Sequence, residues 1–207
     1  MSAPVIDYFY STRSAFAYLG AARFTALARR FGRRIVHKPV NLAAVLAGTG
    51  GQQFGDRPQA RRDYFFGREI ERWGEFLDIP VRVEPKHHFG DRAAPSGYVI
   101  AAQRLGADVD ALSQAILAAL WRDDRDIGNL DELDRVAAEA GIDPQPIRSI
   151  ALSAEIQAEF AANDAEAIRL NVFGSPTYIV DGDPFYGQDR LALVERALER
   201  PFHRRSN

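Results

Sequence analysis

Between Val5 and Gly20 the hydrophobic pattern changes period within a few residues, and that change constrains the chain more than any other feature. "VIDYFY" is a short aromatic and apolar run with the character of a buried strand. From Ala15 onward, Phe16, Leu19, Phe24, Leu27 and Phe31 fall near helical spacing until "FGRR" ends the run. "RIVHKPVNL" then reads as a second strand, with Pro39 near its end, where a missing N–H does least harm. A strand, a helix and a second strand in succession need a crossover, so the spacing predicts a β-α-β unit with parallel strands.

Beyond this unit, "GTGGQQFGDRP" from Gly48 to Pro58 is rich in Gly, Gln and Asp and predicts a loop over the surface, a candidate lid. Helical patterns follow over 58–77, 95–123, 129–140 and 143–170, broken by signals such as "GIDP". Near the end, "TYIVDGDPFYG" reads as a hairpin turning at Asp181, Gly182 and Asp183, and a last amphipathic helix follows it. The order β-α-β, helices, then β-β-α is that of an α/β thioredoxin-like fold with an all-helical domain inserted between its halves. The expected division is a discontinuous thioredoxin-like domain, 1–42 with 171–207, and a helical insertion, 43–170. The tail "HRRSN" is expected to be a ragged end.

At 207 residues, the chain can bury roughly two-thirds of its unfolded surface without metal or disulfide support. A net charge of -2 gives no general attraction to nucleic acid or to an anionic membrane. No apolar run is long enough to span a bilayer and "MSAPVIDYFY" has no leader pattern, so the expected location is cytoplasmic. The chain has no cysteine, which excludes a thiolate metal site and any cysteine nucleophile of its own. Sulfur chemistry here needs a sulfur brought by a ligand.

In this strand order, the junction of the first strand and first helix is where unpaired N–H groups and the helix dipole favour negative charge, a thiolate included. Here "SAFA", Ser14–Ala17, stands where a Cys-x-x-Cys pair would, so dithiol exchange is excluded. Ser14 is either a ligand-facing hydroxyl or simply the cap of the helix. In "FGSPT", Pro176 comes just before a strand, the place of a cis-proline facing the site; Ser175 would then offer its backbone to an extended, peptide-like ligand. In "YGQDRL", Gln188 and Asp189 open the last helix, where amides suit a carboxylate and Asp189 suits an ammonium; the alternative is a cap without a ligand.

Four segments in order, "IDYFYSTRSAFAYLG", "ALWRDDRDIGN", "VFGSPTYIV" and "FYGQDRLALVERAL", resemble the 2-hydroxychromene-2-carboxylate isomerases, relatives of kappa-class glutathione transferases and DsbA-like proteins. The resemblance spans nearly the whole chain. It implies a dimeric enzyme that binds glutathione and acts on a small unsaturated, aromatic carboxylate, with Ser14 near the sulfur. It further implies Gly174, Ser175 and Pro176 at the cysteinyl backbone, Gln188 and Asp189 at the γ-glutamyl end, and Arg62 as the basic residue upstream of Arg72-Trp73. Ala15 departs from the proline that follows the serine in relatives. "EPKHHFGDRAAP" departs from their Pro-x-Asn element, and substrate contacts there do not carry over.

The chemistry implied is reversible addition of the glutathione thiolate to an unsaturated carbonyl compound, rotation about the resulting single bond, and release of the thiolate. The alternatives are a transferase that keeps the conjugate and a redox-inert binding module. His87 and His88 read as a solvent-exposed pair, with His88 a proton carrier if it faces the site. Tyr8, Phe9 and Tyr10 read as sheet core, with Tyr10 or Thr12 as possible pocket lining, "DDRD" as a solvated helix end, and Trp73 and Trp121 as packing residues.

Overall fold

The structure, a computed structural model, describes residues 4–203. The ragged end expected at "HRRSN" lies outside them except for His203, as do the first three residues of the opening segment. Strand β1 (Val5–Tyr10), helix α1 (Ala15–Arg30) and strand β2 (Arg34–Pro39) form the expected unit, and β1 pairs in parallel with β2 from Val5 opposite Arg34 to Tyr10 opposite Pro39. Strands β3 (Thr177–Val180) and β4 (Asp183–Tyr186) form the hairpin, and β3 runs antiparallel to β1. The sheet order β2-β1-β3-β4 is that of a thioredoxin-like α/β fold.

Helices α2 (Leu42–Gly48), α3 (Gln59–Arg62), α4 (Glu69–Leu77), α5 (Ala93–Leu105), α6 (Val109–Trp121), α7 (Leu130–Glu139), α8 (Pro144–Ala151) and α9 (Ala154–Arg169) lie between β2 and β3; α10 (Leu191–Glu199) closes the fold. The expected lid contains a 3₁₀ turn at Phe54–Asp56, and a turn of π-helix at Asp63–Arg68 joins α3 to α4. The hairpin turn is tighter than expected. Asp183 already pairs with Val180, so only Asp181 and Gly182 turn, at φ 49° and 83°; two positive φ angles are what a two-residue turn between twisted strands requires.

Side chains alternate across β1. Tyr8 and Tyr10 point to the α1 side, where Tyr8 stacks on Tyr10 at 4.2 Å and on Tyr178 at 5.5 Å and Phe24 packs against both Tyr8 and Tyr178. Phe9 points to the opposite face, among Val40, Val45, Ala167, Val172 and Ile179. Burial of such a ring stabilises by roughly 1.5–3 kcal/mol, so β1 is anchored from both faces. The larger core runs without a break from Ile6 and Leu19 through Tyr98, Ile116 and Leu133 to Val194. Tyr10 therefore does not line a pocket: its hydroxyl lies between His37 Nδ1 (3.1 Å) and Ser113 Oγ (2.7 Å) in the interior. Among the described residues no helix is long and apolar enough to cross a membrane.

One carboxylate in this frame sits at a cost. Asp164 on α9 accepts the Asn41 N–H at 2.8 Å, and partial burial pushes its pKa up to about 6. The folded state then binds a proton more tightly than the unfolded chain, so Asp164's contribution is complete below about pH 4 and is lost as pH rises through about 6. Asp164→Asn keeps an acceptor for Asn41 and removes the charge. Its melting temperature should exceed that of the wild type by about 1–2 °C at pH 7.5 and match it at pH 4, as thermal unfolding at the two values would show. A variant less stable at pH 7.5 would contradict this account.

Candidate active site

Ser14 caps α1. Its backbone is extended (φ -88°, ψ 120°), its Oγ accepts the Ala17 N–H at 3.2 Å, and its own N–H reaches the Ser11 carbonyl at 3.0 Å. The cap reading is thus correct as far as it goes, but it uses only a lone pair of the hydroxyl. The proton points elsewhere, from Ser14 Oγ to the Ser175 carbonyl at 3.3 Å. No acidic residue occupies the first turn of α1, so nothing there offsets the positive end of its dipole.

The Ser175-Pro176 peptide is cis. Ser175 is buried and is held from both sides of the β1–α1 turn, since its Oγ accepts the Ser11 N–H at 2.9 Å while its carbonyl accepts the Ser14 hydroxyl. Pro176 in turn accepts the Gly187 N–H at 2.9 Å, which draws residues 187–189 alongside. The helix start, the cis-proline loop and the turn before α10 therefore meet, although 161 positions separate Ser14 from Ser175. Gly174 belongs to this corner because a side chain would not fit: a Cβ there would stand 2.0 Å from the Tyr186 ring, which also meets Phe173 edge-on at 5.3 Å.

Gln188 and Asp189 lie in a 3₁₀ turn, Gln188–Arg190, ahead of α10. Gln188 is 1% exposed and packs on Gly20 of α1; Arg23 donates to its Oε1, while its buried Nε2 has no partner among the described residues. Asp189 folds back over Gly187, whose φ of 105° suits glycine, and is partly exposed in a pair with Arg190. Arg62 ends α3, next to the lid segment, and donates to the Gly55 and Arg57 carbonyls and to Gln59.

Three neighbours of this corner escaped the sequence reading. Arg57, in the lid, donates from Nη2 to the Gln52 carbonyl at 3.3 Å, and its guanidinium lies 4.6 Å over Phe54 and within electrostatic reach of Tyr186; among the described residues it has no ion pair and its buried Nε has no partner. Burial pushes the Tyr186 hydroxyl's pKa up, with the Arg57 charge opposing that shift and the Asp189 charge adding to it. Arg13, the residue before Ser14, is 4% exposed. None of these carries a local signal, since each is an ordinary turn or strand residue until the chain folds. His87 and His88 are half-buried, not solvent-exposed as the sequence suggested. His88 packs 5.0 Å from Trp121, and burial, with the Arg13 charge nearby, holds its pKa below the usual histidine range.

Gly174→Ala should push the Tyr186 ring aside and lower the melting temperature by several degrees, in line with an overpacking cost of about 1–3 kcal/mol. The double variant with Tyr186→Ala should recover most of that loss in the same melts. An unchanged single variant would mean that Tyr186 does not hold this position.

The DSBA-like thioredoxin domain profile matches residues 5–199. The 2-hydroxychromene-2-carboxylate isomerase of Sphingobium xenophagum is 25% identical over 93% of this chain and 97% of its own length. Its counterpart from Pseudomonas sp. (strain C18) is 26% identical over 94% of this chain and 90% of its own. A solved structure of 2-hydroxychromene-2-carboxylate isomerase superposes with a TM-score of 0.78 at 23% identity, covering 95% of each chain.

Proposed function

The chain belongs to the DsbA-like thioredoxin family, and on that premise we propose that it is a glutathione-dependent isomerase of the 2-hydroxychromene-2-carboxylate type. The observation that carries the reading is the Ser14 hydroxyl, proton directed at the cis-proline loop, at a helix N-terminus in a chain without cysteine. The relatives named as isomerases point to the reaction class.

The residues present fit glutathione. A buried, unpartnered amide at Gln188 Nε2, a carboxylate at Asp189 and an arginine without an ion pair at Arg57 are complementary to a tripeptide bearing an ammonium and two carboxylates. Asp189 would take the γ-glutamyl ammonium, Ser175 and its neighbours Gly174 and Pro176 the cysteinyl backbone, and Arg57 or Arg62 a carboxylate. When bound, glutathione supplies the thiolate that adds to the unsaturated carbonyl substrate and leaves after bond rotation.

Ser14's part follows from its two hydrogen bonds. Its lone pair stays with the Ala17 N–H, while its proton, in a long 3.3 Å bond to a carbonyl, is free to turn toward a sulfur at little cost. A hydrogen bond to a thiolate favours the charged form and lowers the thiol pKa, and the unopposed N-terminus of α1 works in the same direction. An aromatic carboxylate substrate and a homodimeric assembly complete the proposal.

Calorimetry of glutathione binding tests the site, with the ultraviolet thiolate band followed against pH. Asp189→Ala should weaken binding about tenfold or more, as expected for loss of a charged hydrogen bond. Ser14→Ala should raise the pKa of the bound thiol and lower kcat about tenfold, with the glutathione Kd changed less than about threefold. An unchanged kcat in Ser14→Ala would remove that residue's role. Steady consumption of glutathione during turnover would make the enzyme a transferase, and no binding at all would leave a redox-inert module.

A further inference from the structure

Arg13 is a buried cation that the proposed chemistry does not use. Its main chain belongs to the β1–α1 turn, where its N–H donates to Ser11 Oγ at 3.3 Å. Its side chain leaves in another direction, into the segment between α4 and α5. There Nε and Nη2 donate to the Asp91 carbonyl at 3.0 and 2.6 Å, and Nη1 donates to the carbonyls of His87 and His88 at 2.6 and 3.2 Å.

This arrangement is specific. Among the described residues no carboxylate comes within ion-pairing distance of Arg13. The acids nearby are engaged as caps: Asp91 accepts from Ala93 and Ala94 at the start of α5, and Asp126 from Gly128. Glycines leave room for the guanidinium on two sides, since a Cβ at Gly90 would stand 2.8 Å from Nη2 and one at Gly128 3.3 Å from it. A planar fork with several fixed donors suits carbonyls spread over five residues, whereas an ammonium cannot span them. Burying an arginine without a directly paired carboxylate is costly even with the Asp126 and Asp91 charges nearby, and the fork offsets that cost by donating to carbonyls of this irregular segment.

We propose that Arg13 is a positioning residue that pins residues 87–91 against the β1–α1 turn, fixing the segment that carries His88 as the acceptor-side wall of the site one residue from Ser14. The proposal rests on the isomerase reading for the acceptor's identity, but not for the pinning itself. The turn is tied through its main chain to the cis-proline loop and through this side chain to the 87–91 segment. Glutathione-side and acceptor-side surfaces thus share one anchor, and loss of the fork should loosen only the second.

The test uses the full chain carrying Arg13→Met, Arg13→Lys and, from the opposite side, Gly90→Ala, with glutathione and 2-hydroxychromene-2-carboxylate as probes. Amide hydrogen exchange over 86–92 should quicken at least tenfold in Arg13→Met and Gly90→Ala and less in Arg13→Lys, while exchange in β1 and β3 stays as in the wild type. The KM for the acceptor should rise about tenfold in Arg13→Met, with partial rescue in Arg13→Lys. The glutathione Kd should move less than about threefold. The pH midpoint of Trp121 fluorescence quenching by His88 should rise toward the ordinary histidine value as the segment is released.

Unchanged exchange over 86–92 in the variants would overturn the pinning. An acceptor KM unmoved in spite of faster exchange would overturn the role as a site wall, and a glutathione Kd weakened as much as the KM would place the effect at the Ser14 turn instead. If Arg13→Met does not fold, Gly90→Ala and Arg13→Lys still decide by the same readouts. A wild type that does not turn over the acceptor would sink the isomerase reading and leave the exchange and fluorescence arms to judge the pin.

Discussion

Everything at the site depends on Ser175 being gripped from two directions by a turn far away in sequence. Ser11 N–H donates to its side chain and the Ser14 hydroxyl to its carbonyl, so the cis-proline loop and the start of α1 are held as one surface. The grip is possible because β1 is the inner strand between β2 and β3, which brings the end of β1 beside the beginning of β3. β1 in turn is held in register by rings on both faces, Tyr8 and Tyr10 on one side and Phe9 on the other. A one-residue slip would exchange these faces and carry Ser11 and Ser14 away from the loop.

In the same turn Ser14 stands where a Cys-x-x-Cys pair would begin. The positive end of α1, with no acidic residue in its first turn, favours an anion whether or not the chain carries a thiol. With Ser14 the hydroxyl remains a cap through its lone pair and keeps a proton to offer. Capping and the proposed ligand contact are therefore not rival readings of Ser14; they would use different parts of one group.

Much of this was legible because it rests on local pattern. The change from strand to helix spacing at Ser14 and a hairpin turn at Asp181 and Gly182 follow from short-range sterics, whereas Asp183, expected in the turn, already pairs in β4. The histidines were misread as exposed because nothing in "KHHFGD" announces that Arg13 will draw its carbonyls inward or that Trp121 will cover one ring. Arg57 and Arg62 are both arginines of one polar segment. Spacing could not decide which bonds Gly55, Arg57 and Gln59 and which bonds the Gln52 carbonyl within electrostatic reach of Tyr186.

By itself the sequence determined the order of strands and helices, the absence of any thiol chemistry of the chain's own, and the residues that start and stop its elements. These depend on hydrophobic period, on cysteine count and on which backbone angles a residue tolerates. Only the tertiary structure decided that Ser14 and Ser175 share a hydrogen bond, that Gln188 turns inward with an unpartnered amide, and that Arg13 serves a segment some 75 residues away. Hydrogen bonds and buried charges are short-range in space, and the sheet, not the chain, sets which distant residues become neighbours.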